Sequence, residues 1–232
     1  MRPFAADTHD FPAIRRDASS LRLYHGSKSG LTGAIAPVSR DVCDFGRGFY
    51  MGTEETQPLT LICHGGSPRF YEIDFDLDGL RIHRFSPDID WAMFVAWNRR
   101  VIPERFKSFY DERFLPVVRE NDVIAGKIAN DRMVVVLDWF FSGFITDVGL
   151  LMSLQALGLG DQYCALTSEA CSHAKVVSEK ALSADECASL RAKSESQRSL
   201  AVKMVDRIRL EHRRDGKFFS EIIENETGRA WM

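Results

Sequence analysis

The chain has 232 residues, 45% of them hydrophobic and 11% aromatic, so it is long enough to bury a sizeable core and too rich in aromatics for a disordered segment. A formal net charge of -3 excludes a global positive field, and with it general nucleic-acid binding. The five cysteines (Cys43, Cys63, Cys164, Cys171 and Cys187) are odd in number and contain no CxxC pair, which argues against both a disulfide framework and a zinc site; no metal is expected.

Residues 1–20 mix Pro, Asp and Arg without a period and read as a flexible N-terminal arm. They hold no apolar run of signal-peptide length, and no stretch of the chain is long enough to span a bilayer, so synthesis in a cytoplasm and no membrane partner are expected. Alternation over 21–25 predicts a short strand that ends at His25, before Gly26-Ser27. Residues 26–52 carry six glycines and read as a loop built around backbone, followed by a helix that Thr53, Glu54 and Glu55 open. Alternating runs over 70–75 and 80–85 flank the Asp78-Gly79 turn and predict a hairpin or adjacent strand pair. The segment 87–100 is helical, with Trp91, Phe94, Val95 and Trp97 inward. A strand is expected over 122–129, and helices over 133–141 and 146–157, parted at Ser142-Gly143 and stopped by Gly158 and Gly160. Strands at 162–167 and 175–178 follow; no element is assigned between 101 and 121. Strands scattered among helices without a regular beta-alpha-beta beat give an α+β class with a mixed sheet.

After Ser183 the pattern changes. Charges dominate 185–226, with a thin apolar stripe at Leu190, Leu200, Val202, Val205, Ile208 and Leu210, so a domain over 21–183 and a helical C-terminal appendage over 184–232 are expected. Arg207, Arg209, Arg213, Arg214 and Lys217 alternate with Asp206, Glu211 and Asp215, the pattern of a solvated, salt-bridged helix.

Three stretches carry chemistry by their order: the strand end at His25, the run Phe45-Gly46-Arg47-Gly48-Phe49-Tyr50 before a helix, and a late strand opened by Asp161-Gln162-Tyr163. Gly46-Arg47-Gly48 lacks the third glycine and preceding strand of a dinucleotide fingerprint, and no GxxxxGK[ST] string occurs. Cys63-His64 with His173 as base is a possible thiol pair on paper, against a buried cysteine at a helix end.

The arrangement resembles the His-Tyr-Glu branch of the ADP-ribosyltransferases, the diphtheria-toxin and poly(ADP-ribose) polymerase side of that superfamily, over roughly residues 21–178. More closely, Leu23-Tyr24-His25-Gly26-Ser27, Asp44-Phe45-Gly46-Arg47-Gly48-Phe49-Tyr50, Tyr71-Glu72-Ile73-Asp74, Trp97-Asn98-Arg99-Arg100, Ala129-Asn130-Asp131 and Asp161-Gln162-Tyr163-Cys164 are similar to a bacterial domain family that includes type III effectors modifying threonine of host ubiquitin.

The resemblance implies an ADP-ribosyltransferase-like fold, NAD+ as co-substrate, a protein acceptor such as ubiquitin, and a bacterial effector or toxin delivered into a host cytoplasm. It implies His25 on the adenine-side ribose, Gly26 and Ser27 at the carboxamide, and Tyr50 as an aromatic platform for the cationic nicotinamide. Arg47, beside Gly48, is either a pyrophosphate ligand or a solvent-facing side chain.

The glycosidic bond breaks through an oxocarbenium-like state that a carboxylate would stabilise, yet the late strand opens with Gln162 where the branch has Glu. Either Gln162 orients the ribose while Asp161, Asp44, Glu169 or a carboxylate of the target supplies the field, or the chain is a silent NAD-binding or partner-binding module. Asn130 and Asp131 are read as a helix N-cap or as substrate-facing.

Overall fold

The computed structural model describes residues 20–64, 66–127, 131–157 and 160–230. The expected arm over 1–19 and the calls on Asn130 and Gly158 lie outside the described residues.

The alternation at the start of the chain runs further than 21–25: β1 spans Ser20–Ser27, and a four-residue strand, β2 (Phe49–Gly52), lies inside what the sequence presents as loop. The next elements are α1 (Thr56–Ile62), β3 (Arg69–Asp76), β4 (Ile82–Arg84), α2 (Ile89–Asn98), α3 (Lys107–Glu120), β5 (Val123–Lys127), α4 (Asp131–Phe141) and α5 (Asp147–Leu157). After them come β6 (Asp161–Ala165), α6 (Ser168–Ser172), β7 (Ala174–Ala181), α7 (Ala184–Glu211) and α8 (Phe219–Ala230). Caps fix several ends: Asp88 accepts from the Trp91 backbone N–H to start α2, and Ser183 and Glu186 form a reciprocal capping box on α7.

The strands form one seven-stranded sheet in the order β4-β5-β6-β2-β1-β3-β7, so the chain is a mixed α+β protein with helices flanking a mixed sheet. Among the described residues only β4 and β5 run parallel. The expected hairpin of 70–75 with 80–85 is corrected here: β3 pairs with β1 and β7, while β4 lies at the opposite edge against β5. The cause is a long-range contact, because the Arg81 backbone N–H and guanidinium both bind the Asp122 carboxylate and tie the entry of β4 to that of β5.

Alternation sorts the sheet into two faces. Phe49, Met51, Val123, Ala125, Tyr163 and Ala165 join Leu23, Tyr71, Ile73 and Phe75 on one face. On the other, Ile124 and Cys164, with Tyr50 packed against them, meet Trp91 and Phe94 of α2, Tyr110 and Phe114 of α3, and the apolar sides of α4 and α5. Ala201 and Val205 of α7 and Phe219, Ile222 and Ile223 of α8 belong to this second core, whereas Leu200 and Leu210 of the expected stripe are exposed. The start of α7 packs elsewhere, Cys187 joining Ile62, Cys63 and Phe70. All five cysteines are free thiols.

Strand β7 forms an edge of the sheet, exposed along nearly all its length, and its ladder to β3 slips between Glu72 and Ile73.

Deleting residues 184–232 strips these α7 and α8 side chains from the core, and the large ones contribute roughly 1.5–3 kcal/mol each. The shortened chain is expected to aggregate or to melt far below the full chain in a thermal scan. A soluble truncation with the melting temperature of the full chain would instead establish a separable unit beyond Ser183.

Candidate functional site

Strands β1 and β2 pair at a single position, Tyr24 with Gly52, and then part. Past that point the Tyr50 carbonyl has no ladder partner on β1, and the His25 side chain takes the place of one: its Nδ1–H donates to Tyr50 O at 2.7 Å. The imidazole stacks on Phe49, with ring centres 4.3 Å apart. Burial pushes its pKa below the usual histidine range, opposed only by the bond to Tyr50, so the ring is neutral with Nε2 as an acceptor.

The parting of the strands leaves a cavity of about 80 Å³ lined by Tyr24, His25, Gly26, Tyr50, Gly52 and Gln162, with Gln57, Pro58 and Leu61 of α1 closing one side. Residues from three strands, far apart in sequence, thus meet at one hollow. Against the roughly 300–1,000 Å³ of whole small-molecule sites, this volume suits a ring-sized fragment.

Each residue is held by its own local reason. Tyr50 points its ring toward the helical face, and its hydroxyl donates to Gly46 O at 2.7 Å while accepting from the Phe45 N–H at 2.9 Å. Burial drives the phenol far above its ordinary range, so Tyr50 offers a neutral aromatic face and no proton chemistry. Gln162 is 4% exposed, and its Nε2 donates to Asp44 Oδ2 at 3.4 Å and to Lys127 O at 3.3 Å. With both amide hydrogens turned that way, Oε1 is left as the acceptor.

Behind Gln162 stands an ion pair the sequence did not show. The Arg99 guanidinium binds Asp44 Oδ1 through Nε at 2.7 Å and Nη2 at 2.6 Å, with the two side chains 19% and 15% exposed. Its neighbour Asn98 packs against Gly46, where a Cβ would come within 2.9 Å of Asn98 Oδ1. The Trp97-Asn98-Arg99-Arg100 string therefore clamps the turn from which Tyr50 and Gln162 take their positions. Two separated polar strings were the signal for this contact, but their pairing depends on α2 crossing the loop.

Other expected residues lie elsewhere. Ser27 Oγ donates to Gly30 O at 2.9 Å, and Arg47 Nε donates to Pro37 O at 3.1 Å on the surface; neither lines the cavity. Gly48 serves the sheet, since a Cβ there would meet Cys164 Sγ at 2.2 Å. Asp161 pairs with Lys127 at 2.8 Å, and Glu169 is a surface residue 3.7 Å from His173 Nε2. His173 is bonded to Asp76 O, and the Cys63 thiol faces Leu59 O and Cys187, so no Cys-His pair forms between them. Tyr24, Gln57 and Leu61 were not anticipated; Tyr24 is raised in pKa, by burial first and then by Glu55, which accepts its hydroxyl proton in a hydrogen bond. Among the described residues no group of three or more His, Cys, Asp or Glu could hold a metal ion, and no helix is long and apolar enough to cross a membrane.

Gly26 is dictated by packing. A Cβ would come within 2.7 Å of both Ile62 Cγ2 and Pro58 O, so α1 rests directly on the strand at this residue. Gly26→Ala is expected to lift α1, lower stability by roughly 1–3 kcal/mol and deform the cavity. Thermal melting and ligand titration check this; an unchanged melting temperature would mean that α1 is loosely seated.

Residues 21–176 match the model of a family described as "Protein of unknown function (DUF3990)". No curated protein and no solved structure matches the chain.

Proposed function

The chain belongs to the DUF3990 family, and we propose that it is a mono-ADP-ribosyltransferase of ADP-ribosyltransferase-like fold, using NAD+ to modify a protein side chain. The acceptor we propose is a threonine hydroxyl of host ubiquitin, reached by a bacterial effector that is made in a cytoplasm and delivered to a host cell. One observation carries the reading: His25, Tyr50 and Gln162, the residues singled out by their order in the sequence, converge with Gly26 on one cavity where β1 and β2 part.

The donor set fits the co-substrate. Tyr50 offers a ring face to a cationic pyridinium, an attraction of roughly 0.5–2 kcal/mol. His25 Nε2 and Gln162 Oε1 are acceptors for ribose hydroxyls. The cavity accommodates a ring-sized fragment, and the rest of a dinucleotide would extend over the surface outside it.

Bound NAD+ supplies a ribose carbon that gains positive charge as nicotinamide departs. Gln162 has no charge to set against it, but its amide leans on the Asp44 carboxylate, which polarises the amide and enriches Oε1 in electron density. Asp44 in this way acts through Gln162, while Arg99 keeps the carboxylate in place. Acceptor activation is a lesser requirement, because an electrophilic carbon is limited mainly by the placement of the attacking hydroxyl.

The test is incubation of the full chain with NAD+ and ubiquitin, followed by intact-mass measurement. Addition of one ADP-ribose to ubiquitin is the expected result. NAD+ binding with no adduct and no NAD+ consumption would favour the silent module, whose single support is the uncharged Gln162. Absence of NAD+ binding would overturn both readings.

A further inference from the structure

A larger hollow, of about 560 Å³, adjoins the candidate cavity and shares Leu61 with it. Its wall is built by Lys28 just past the end of β1, by Thr60, Leu61 and His64 around the end of α1, and by Arg191, Glu195 and Arg198 of α7. This is a local reversal of charge in a chain of net charge -3. Three permanent cations face the space against one carboxylate.

The cations also lack acidic partners. Elsewhere Arg22, Arg81, Arg99, Arg113 and Arg209 each hold a carboxylate, but none of Lys28, Arg191 and Arg198 has one within ion-pair distance among the described residues. Arg191 donates to Cys63 O at 2.7 Å, which aims its guanidinium across from α7 to the end of α1.

The layout of these charges selects among anions. Sites for a single phosphate gather backbone N–H groups at a helix start or a glycine turn onto one point. Here the donors are long side chains, and Arg191 and Arg198 stand two helical turns apart, about 10 Å along α7. The lining also carries apolar surface, from Leu61, which is 46% exposed, and from Ala192. Spread charge with apolar surface in the same lining matches an extended chain bearing several carboxylates and an apolar side chain.

We propose that this hollow binds an acidic segment of a partner protein, with Lys28, Arg191 and Arg198 pairing its carboxylates and Leu61 its apolar residue. Arg191 and Arg198 lie beyond the residues that match the family model, so this specificity belongs to the C-terminal helix of this chain. That the segment is delivered beside the site of transfer rests on the transferase reading; peptide binding does not.

The experiment is fluorescence anisotropy on the full chain, without NAD+, using a labelled ten-residue peptide of alternating Glu and Leu. Binding that weakens with salt is expected, falling by about tenfold or more in Lys28→Glu/Arg198→Glu. The same charge change in Arg207→Glu/Arg214→Glu, at the far end of the helical region, should leave it within about twofold, and Glu195→Gln should tighten it. Circular dichroism confirms folding, and Lys28→Gln/Arg198→Gln gives a milder second variant expected to weaken binding in the same direction. Absent binding, equal losses in the two charge-reversed pairs, or displacement by inorganic pyrophosphate at concentrations below those of the peptide itself would each overturn the proposal.

Discussion

Gln162→Ala is expected to lower transfer by roughly 10²-fold or more while changing NAD+ affinity far less, as for the loss of a preorganised contact that matters most in the transition state. The informative companion is Gln162→Glu. At this buried position the new carboxylate would face Asp44 and the Lys127 carbonyl, two acceptors, in place of the two hydrogen bonds that the Gln162 amide donates. Repulsion and desolvation raise its folded-state pKa above the unfolded value of about 4.3. The unfolded chain then loses this proton first as pH rises, so the variant should match the parent below about pH 4 and grow less stable from there upward through the raised folded pKa. Combining Gln162→Glu with Asp44→Asn restores the donor and the charge count and should remove the pH dependence, although Arg99 then loses its direct carboxylate partner. Melting curves across pH read this directly; equal stability of Gln162→Glu and the parent at pH 8 would separate Gln162 from Asp44. On this view the amide is what a neighbouring carboxylate requires.

Asp44→Ala should destabilise the chain by about 3 kcal/mol, because it leaves the Arg99 guanidinium largely buried, with Asp138 at 4.0 Å as its remaining carboxylate. For a chain of this size that is a fall in Tm of about 10 °C. The loss should reach function as well, since the Gln162 amide loses one of its two anchors and the turn under the Tyr50 hydroxyl loses its clamp. A double-mutant cycle of Asp44→Ala with Arg99→Ala isolates the pair. Additive effects, within about 0.5 kcal/mol, would show that the contact carries no coupling and that the loop is held by Asn98 and Tyr50 alone.

The parts of this fold that local pattern controls were legible. Alternation announced β1 and β3, runs of apolar residues announced α2, α4 and α5, and the strand expected from Gln162 is β6, while the caps Asp88 on α2 and Ser183 on α7 were not read from the sequence. What escaped was decided at a distance. Strand β2 is four residues among glycines, too short to show a period, and exists because β6 pairs along its whole length. Strand β4 reads as the return of a hairpin until Arg81 finds Asp122. Helix α3 buries only Tyr110 and Phe114 fully and contains Pro116, so its stripe is faint. At the site, sequence order nominated His25, Tyr50 and Gln162, and the sheet brings them together. The same order also nominated Ser27, Arg47 and Gly48, whose side chains or backbone are engaged in a turn, on the surface and against β6. The Asp44–Arg99 contact was split between two strings that nothing in the sequence connects.

The form of strand β7 bears on self-association. An open sheet edge is a template on which another copy of the chain can grow a strand. Here Lys175, Glu179 and Lys180 sit along the edge, and the ladder to β3 skips Val177, an irregularity that twists the strand. The opposite edge, β4, is three residues long. Neither border of the sheet offers a long, flat, apolar strand, so raising the protein concentration should not drive edge-to-edge polymerisation, and light scattering of a concentrated solution should show no growing species.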